Sequence, residues 1–379
     1  MVKPEYYVEH MDLANKNVVC RCDFNVPMKH GIIMDDFRIR SAIPTIQTIL
    51  SKKPHYVLIV SHFGRPVPGA DNTKHSLRFL LPILSKHLNA SVQFLERGIS
   101  NETLYTLQHT TSDEPMIYLL ENIRFHAEET AFDKTDNSNP VTTLYKQMGD
   151  VFICDAFGCV HRSHMSITCG KRFNKVYGYG HLIKKEMDAL SLLTGSAANK
   201  KILCIIGGNK IEDKLPIIDS LKTVPNSTIF IAGGLAKKYN GREPNVQTMK
   251  DGYGNTEINM TSYPISDIFN STYNAYDIGE HSLQEIMNLV DAHDIVFWNG
   301  TLGIIEHETY KAGTTKLMNY LCARTDKMVI IGGGETASMV PQSLFLGHFY
   351  VSTGGGALLE YIENKILHDT LIVGLAIYE

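Results

Sequence analysis

The chain has 379 residues, of which 44% are hydrophobic, enough for two hydrophobic cores but few for three. Its formal net charge is only −4, which excludes the basic field that holds nucleic acid or an anionic membrane surface. An anionic ligand must therefore be bound by a local group of cationic side chains.

The cysteines and the N-terminal segment indicate a compartment. The seven cysteines show no C-x-x-C spacing and mostly lie in apolar runs, which is typical of reduced, buried thiols. The first residues lack the basic and apolar regions of a signal peptide, and no apolar run approaches the ~18 residues of a membrane span. We therefore expect a cytoplasmic protein without a membrane partner.

Short β-branched apolar runs alternate with helix-length stretches along the first half of the chain. Each run is followed by glycine or a small polar residue, which is typical of α/β architecture. The pattern predicts a mainly parallel sheet with flanking helices. Its predicted strands are residues 17–21, 56–60, 92–95, 116–120 and 151–154.

The second half repeats this pattern after one amphipathic stretch. Residues 181–198 have a helical period of apolar side chains and predict the connector between two domains. Polar residues 240–256 predict a loop. The predicted strands that follow the connector, each ending in a glycine-bearing turn, are residues 201–206, 228–231, 295–298, 328–331 and 349–351.

Arginines are concentrated in the first half, where nine of the eleven precede Lys175. Arg65, Arg124 and Arg162 each follow a predicted strand, so they should meet at one sheet edge, where parallel sheets bind ligands. Guanidinium groups bind carboxylate or phosphate in bidentate fashion, and this pattern predicts a site for a small polyanion. The alternative for each arginine alone is a surface ion pair.

Other polar residues follow the same strands. His62 and His161 could add hydrogen bonds to the predicted anion. Asp23 and Asn25 follow the first strand and could accept hydrogen bonds from substrate hydroxyls, or could merely stabilise a turn.

Five glycine-bearing turns in the second half predict a phosphate crevice. Glycine allows a backbone to approach a ligand closely, and amides at a helix start attract phosphate. The first turn is followed by Lys210 and Lys214, but the Walker A pattern is absent. Each turn alone could be an ordinary strand-to-helix connection. The turns are at residues 207–208, 232–234, 299–303, 332–336 and 352–356.

Eight motifs, in this order over nearly the whole chain, resemble phosphoglycerate kinase. They are RCDFNVP, SHFGRP, LLENIRF, DAFGCVHRSH, GGNKIEDK, WNGTLGIIE, IIGGGETAS and VSTGGGALLE. The resemblance implies two Rossmann-like three-layer α/β/α domains that close on a hinge. It implies a 3-phosphoglycerate domain at 1–180, a helix at 181–199, a nucleotide domain at 200–364 and a tail at 365–379 that packs back on the first domain.

The resemblance also implies an activity and its ligands. The activity is reversible, magnesium-dependent phosphoryl transfer between 1,3-bisphosphoglycerate and ADP, giving 3-phosphoglycerate and ATP, in glycolysis and gluconeogenesis. The family is usually monomeric. The residues implied around 3-phosphoglycerate are Asp23, Phe24, Asn25, Arg38, His62, Phe63, Gly64, Arg65, Arg124, His161 and Arg162.

Catalytic and nucleotide-binding roles are implied in the same way. Arg38, Lys210 and Lys214 would be catalytic, because phosphoryl transfer mainly needs alignment and charge neutralisation, and Glu335 would ligate magnesium. The residues implied around the nucleotide are Gly208, Asn209, Lys210, Lys214, Gly233, Gly234, Ala275, Asn299, Gly303, Glu306, Gly333, Gly334, Glu335 and Thr336.

The departures from the family pattern cluster around the nucleotide. Glu335 replaces the aspartate of GGDT, Thr301 replaces the proline of NGP, and Ala275 replaces the first glycine of GLDIG. Asn209 and Lys238 also differ from the usual residues. We therefore expect a normal acid site with altered nucleotide or metal affinity.

Three other functions would fit parts of the sequence pattern. A non-catalytic relative that binds phosphorylated acids would explain why the departures lie in one half. A kinase for another acyl phosphate would fit the arginines but not the complete set of N-terminal motifs. Nucleic-acid binding ranks last, because the arginines converge on a point rather than along a helix.

Overall fold

The structure is a computed structural model that describes residues 2–67, 71–131, 139–173, 175–194, 199–208, 214–236, 239, 241, 243–253, 262–264, 276–341, 347–368, 372 and 374–375. The chain divides into two compact units, the first comprising Met1–Met187 with Leu371–Glu379, and the second Asp188–Thr370. Each unit contains one six-stranded sheet in which all strand pairs are parallel. The predicted α/β class with two parallel sheets is confirmed.

The strands described in the first unit are, in chain order, β1 Asn17–Cys22, β2 Met28–Lys29, β3 Ile32–Ile33, β4 Tyr56–Val60, β5 Gln93–Leu95, β6 Met116–Leu120, β7 Val151–Asp155 and β8 Val176–Tyr179. Its five predicted strands are present, whereas β8 and the hairpin of β2 with β3 were not predicted. The apolar side chains of β1 are buried, as expected for a parallel sheet covered on both faces. Across the six-stranded sheet of this unit the strand order is β5-β6-β4-β1-β7-β8.

Helices in the first unit pack their apolar sides against this sheet. The longest buries Ile39, Ala42, Ile43, Ile46 and Ile49, a spacing that forms one stripe on a helix. The predicted connector 181–198 was too long, because the helix ends at Ser191 and residues 192–194 form a turn. The helices are Phe37–Ser51, Leu81–Leu88, Asn101–Gln108, Pro140–Gln147, Met165–Phe173 and His181–Ser191.

The strands described in the second unit are, in chain order, β9 Ile202–Ile206, β10 Ser227–Ile231, β11 Val246–Thr248, β12 Asp251–Tyr253, β13 Ser262–Pro264, β14 Asp277–Ile278, β15 Ile295–Asn299, β16 Met328–Gly332 and β17 Phe349–Val351. All five predicted strands are present. The predicted loop 240–256 was wrong in part, since two strands lie within it. The six-stranded sheet of this unit has the order β11-β10-β9-β15-β16-β17. A separate three-stranded antiparallel sheet has the order β13-β12-β14.

Helices follow most strands of the second sheet, so its turns gather at the carboxyl edge. Among the described residues, no helix is long and apolar enough to cross a membrane. The helices are Leu215–Leu221, Glu280–Ala292, Ala312–Cys322, Gly334–Ser338 and Gly356–His368.

Residues near the C-terminus lie against the first unit. The Tyr179 hydroxyl at the end of β8 donates to the Gly374 carbonyl at 2.9 Å, and the Gly374 amide donates to the Val160 carbonyl at 2.8 Å. Ile372 and Leu375 are buried. The last described part of the chain is therefore integral to the first unit. The predicted domain limits and their roles stay predictions.

Asp155, the last residue of β7, caps the helix His181–Ser191. Its Oδ1 accepts from the Leu182 amide at 2.9 Å and from the Ile183 amide at 3.3 Å. Burial raises the pKa of this carboxyl to about 7, although the hydrogen bonds that it accepts oppose the rise. A carboxyl group thus ties the first sheet to the helix that leads into the second unit.

Candidate functional site

Polar residues from four neighbouring strands meet at the carboxyl edge of the first sheet. The strands β6, β4, β1 and β7 are adjacent, so the residues that follow them converge. We call this group the acid cluster, after the phosphorylated acid that the sequence motifs imply as its ligand. It consists of Asp23, Asn25, Arg38, His62, Arg65, Arg124, His161 and Arg162.

Asp23 lies at the centre of the acid cluster. It is buried, and its carboxylate is in an ion pair with Arg38 from the start of the helix Phe37–Ser51. Its Oδ1 is 3.8 Å from His62 Nδ1. Burial would raise the pKa of Asp23, but the charges of Arg38 and Arg21 and the hydrogen bond from the Asn25 amide outweigh it, so the pKa lies below its usual value. Asp23 therefore stays ionised and orients Arg38.

The loop after β4 is built around Gly64. Its amide donates to Asn25 Oδ1 at 2.9 Å, and its carbonyl accepts from Arg124 Nη1 at 2.7 Å. Gly64 has φ +62, and a Cβ there would lie 2.5 Å from the His75 ring. Only glycine therefore suits this turn, which brings together Asn25 and Arg124 from different strands.

Three arginines of the acid cluster have no acidic partner among the residues that the structure describes. Arg65, Arg124 and Arg162 form no ion pair with any residue that the structure describes. Arg124 Nε is also buried and makes no hydrogen bond within the described part. Surface ion pairs were the alternative explanation for these three side chains, and the structure shows none with a described residue. Their uncompensated charge suits a phosphate or carboxylate.

His161 contributes a neutral ring to this group. Arg162 Nε donates to its Nε2 at 3.2 Å. Burial and the neighbouring charges of Arg162 and His164 lower the pKa of His161 to about 4. The ring is therefore uncharged at neutral pH and does not add to the positive charge of the cluster.

The two predicted aromatic residues have packing roles. The Phe24 side chain is fully buried, and its amide donates to Ser61 Oγ at 2.9 Å. The Phe63 ring contacts Phe79 edge to face, with 5.0 Å between the ring centroids. Both rings support the loops of the acid cluster through packing.

Several polar residues beneath the acid cluster were not predicted as site residues. Arg21 on β1 and Glu129 are almost completely buried. Asn122 is also buried, and its Nδ2 donates to the Phe63 carbonyl at 2.8 Å and to the His75 carbonyl at 2.9 Å. A charged residue in the buried strand NVVCRC is the sequence signal that could have found Arg21.

The second unit brings glycine turns together in the same way. Gly208, Gly233, Gly300 and Gly333 all have φ between +65 and +97, where glycine is favoured. The Gly207 amide donates to the Asn299 carbonyl at 3.0 Å, and the Gly208 amide to the Thr301 carbonyl at 2.9 Å.

These turns follow the adjacent strands β10, β9, β15 and β16. They give the second sheet edge a floor of backbone with few side chains, which a ligand can approach closely.

Asn299 ends β15 within this floor. It is buried, and its Oδ1 has no hydrogen-bond partner among the described residues. The amide of Gly300 donates to Thr336 Oγ1 at 3.1 Å, which joins this turn to the helix Gly334–Ser338. An unpartnered buried acceptor is costly unless a donor reaches it. Asn299 thus suits a ligand with an N–H or O–H donor.

Charged groups lie around the glycine turns. Glu335 and Glu306 are exposed, and neither carboxylate contacts another described side chain through a hydrogen bond or ion pair. Lys214 is half-buried and precedes the helix Leu215–Leu221. Gly234 lies on the turn after β10. The predicted residues Asn209, Lys210, Lys238 and Ala275 lie outside the described residues.

Gly303 is required by packing within the chain. A Cβ there would lie 2.2 Å from the Tyr310 carbonyl oxygen and 2.3 Å from Asp277 Oδ1. Asp277 also borders a cavity of about 270 Å³ lined in part by Tyr253, Leu283 and Lys316. Burial raises the pKa of Asp277 to about 6, although amides of Gly313 and Ile278 donate to it.

Comparisons with known proteins identify the family of the chain. A family model described as phosphoglycerate kinase matches residues 8–243 and 238–365. The chain is 34% identical to the phosphoglycerate kinase of Borreliella afzelii (strain PKo) over 387 residues, covering 93% of this chain and 95% of that protein. It is 31% identical to that of Tetrahymena thermophila over 409 residues, covering 96% and 95%.

Solved structures of similar fold bear the same name. Phosphoglycerate kinase from Coxiella burnetii has a TM-score of 0.77 at 26% identity, with 98% of both chains covered. The enzyme from Pyrococcus horikoshii OT3 has a TM-score of 0.81 at 23% identity, covering 98% of this chain and 99% of that one. The second likeness concerns the fold alone.

Proposed function

The chain belongs to the phosphoglycerate kinase family, and we propose that its acid cluster binds the phosphorylated acid while the glycine turns of its second unit bind the nucleotide. The reaction is the reversible transfer of a phosphoryl group between 1,3-bisphosphoglycerate and ADP, which gives 3-phosphoglycerate and ATP in glycolysis and gluconeogenesis. The chain is a phosphotransferase with a carboxyl group as acceptor.

The observation that carries the residue assignment is the set of arginines that have no acidic partner in the described part of the chain. Arg65, Arg124 and Arg162 are fixed on loops of one sheet edge, and Arg124 is anchored to the Gly64 carbonyl. Bidentate binding by such groups would neutralise the phosphate of 3-phosphoglycerate. Asn25 and Asp23 would accept hydrogen bonds from the acid. No base is needed for its attacking carboxylate, which is already ionised at neutral pH.

Arg38 is the group proposed to act on the transferring phosphoryl. Its ion pair with Asp23 sets its direction, and its side chain remains 31% exposed, so its charge can reach a ligand above the cluster. Charge builds up on the equatorial phosphoryl oxygens during transfer, and a fixed cation stabilises it without reorganisation. Lys210 and Lys214 would do the same from the nucleotide side.

Magnesium is proposed to accompany the nucleotide. Mg²⁺ in proteins is commonly held by one or two carboxylates together with substrate phosphates, and the exposed carboxylate of Glu335, which contacts no described side chain, fits this need. When bound, the ion neutralises phosphate charge. We also propose a monomeric, cytoplasmic protein without nucleic-acid or membrane partners, on the basis of composition and of the apolar setting of the cysteines.

The test is a coupled assay of the full chain with 3-phosphoglycerate, magnesium and either ATP or another nucleoside triphosphate. We expect turnover that needs both magnesium and 3-phosphoglycerate, and a nucleotide affinity or base preference altered by the departures around the second site. Binding of 3-phosphoglycerate without any turnover would instead support a non-catalytic relative. A stronger response to other phosphorylated acids would support a kinase for another acyl phosphate.

Glu335 provides a second prediction, for metal affinity. Its side chain is one methylene longer than the aspartate that the family uses, so it should hold the metal less well. We expect Glu335→Asp to lower the magnesium concentration for half-maximal rate about 3-fold. Glu335→Gln should raise it about 10-fold, because a charged ligand is lost. The measurement is a magnesium titration at saturating substrates, with Glu308→Gln, at an exposed carboxylate outside the predicted site, as the control. Equal magnesium curves for all variants would exclude Glu335 as the ligand.

A further inference from the structure

A buried network of charged groups lies beneath the acid cluster. Glu129 is completely buried and accepts from the Ser166 amide at 2.9 Å and from Ser166 Oγ at 2.7 Å. Ser166 Oγ in turn accepts from Arg21 Nε at 2.8 Å. Arg21 Nη2 and Glu129 Oε1 are 3.8 Å apart. These contacts fix the guanidinium of Arg21 from one side.

Glu129 remains charged in this position. Burial would raise the pKa of its carboxyl, but the nearby His164 ring, 3.5 Å away, the charge of Arg21 and the hydrogen bond from the Ser166 amide outweigh it, so the pKa lies below the usual value. A buried acid opposite a buried guanidinium is costly unless both are held by hydrogen bonds. Here each group has such bonds, so the pair defines one orientation of Arg21.

The other side of the Arg21 guanidinium faces His62. Arg21 Nη2 is 3.2 Å from His62 Nδ1, and Nη1 donates to the Cys22 carbonyl. A guanidinium has only donors, so His62 Nδ1 must be the acceptor. The proton of the neutral imidazole then lies on Nε2. The geometry thus determines the tautomer of a residue in the acid cluster.

We infer that Glu129, acting through Arg21, is a positioning residue that fixes His62 as the neutral Nε2–H tautomer and so provides a hydrogen-bond donor for the anionic acid. This inference rests on the proposed function of the acid cluster. It assigns to His62 a donor role that does not depend on an added positive charge. Arg21 and Glu129 contact no ligand themselves in this arrangement.

The groups that face His62 favour the neutral ring. Burial lowers its pKa, and Arg21, Arg124 and Arg162 lower it further, while Asp23 alone opposes them, so the pKa lies well below the usual value. Cys159 Sγ lies 3.9 Å from Nδ1, and burial raises the pKa of this thiol to about 12. It therefore adds no charge. His62 should therefore be neutral at pH 7.

A metal ion is the competing reading of this cluster. Donor atoms of Asp23, His62 and Cys159 lie within 4.8 Å of one another. The permanent positive charge of Arg21, which lies next to His62 and 3.9 Å from Cys159 Sγ, opposes a cation there. The hydrogen bond to His62 Nδ1 also occupies the lone pair that a metal would need.

The test uses the full chain with ¹⁵N-labelled histidine and records the imidazole ¹⁵N–¹H correlations without substrate between pH 5 and 8. The chain has 16 histidines, so a His62→Gln variant identifies the signals of interest. We expect the Nε2–H pattern at pH 7, and protonation of the ring only well below the usual pKa of histidine. Addition of 3-phosphoglycerate should then shift the Nε2 proton.

Glu129→Gln should convert the single pattern into a mixture of tautomers and raise the KM for 3-phosphoglycerate at least 10-fold, with the KM for ATP changed less than 2-fold. Glu128→Gln removes the neighbouring charge and is the control. If Glu129→Gln fails to fold, Ser166→Ala tests the same link, because it deletes the Oγ bridge and leaves both charges.

Each outcome separates the inference from the proposed function. An imidazolium or Nδ1–H pattern in the wild type at pH 7, or an unchanged tautomer in Glu129→Gln or Ser166→Ala, would overturn the inference even if turnover is normal. A correct tautomer that responds to Glu129→Gln, in a chain with no turnover, would count against the proposed function and leave the positioning role in place.

Discussion

Replacement of Arg38 by alanine is expected to lower kcat about 10³-fold, which is at the lower end of the effect of a transition-state arginine in phosphoryl transfer. The Kd for 3-phosphoglycerate should change less than 10-fold, because Arg65, Arg124 and Arg162 still bind the phosphate. We expect kcat to fall far more than binding weakens, because Arg38 stabilises charge that develops only during phosphoryl transfer. Steady-state kinetics and calorimetry with 3-phosphoglycerate measure the two quantities.

Arg40 offers a matched control for this experiment. It lies two residues further along the same helix, and its Nε donates to Asp36 Oδ1 at 2.7 Å. Arg40→Ala should leave kcat within 2-fold. A second variant, Arg38→Lys, retains the charge without the planar fork and should give an intermediate rate. If Arg38→Ala kept more than a tenth of the wild-type kcat, the role proposed for this residue would be wrong.

Gly300→Ala is expected to lower the free energy of unfolding of the second unit by about 3 kcal/mol. Gly300 has φ +97, and a Cβ there would lie 2.3 Å from the Gly207 carbonyl oxygen and 2.6 Å from its carbon. Both atoms belong to backbone and cannot rotate away. The turns after β9 and β15 must therefore separate, and we also expect at least a 30-fold loss of ATP affinity.

The single tryptophan of the chain reports on this change. Trp298 is buried on β15, and its Nε1 donates to the Gly300 carbonyl at 2.8 Å. Denaturant titrations followed by tryptophan fluorescence therefore measure the second unit, which matters because a chain with two units need not unfold in one step. Gly334→Ala is the control, since no atom lies within 4 Å of its added Cβ. Coinciding midpoints for the two variants would contradict the prediction.

The strand ends were the part of the site that the sequence could predict. Buried apolar runs identify strands of a parallel sheet, and whatever follows them must meet at one edge. Arg65, Arg124 and Arg162 were placed together on this basis alone. Because all three side chains are cationic guanidinium groups, they indicated only that the ligand is an anion. The particular acid and nucleotide came from the resemblance of the motifs and then from the comparisons with related proteins.

The buried network could not be predicted in this way. Glu129 follows no strand and looks like one of several acids in HAEET, and only the three-dimensional structure brings it to Ser166 and Arg21. The short strands β8 and β11 were also missed, because their runs are too short for a clear period. Ion pairs between distant segments leave no periodic pattern in the sequence.

The contact between Tyr179 and Gly374 has a consequence for biosynthesis. The two residues are 195 positions apart, although both belong to the first unit. At a synthesis rate of roughly 5–20 residues per second, the ribosome releases Gly374 about 10–40 s after Tyr179. During that interval the nascent first unit has its whole sheet but lacks the segment that covers Tyr179 and Val160. The half of the protein that is made first is thus completed last.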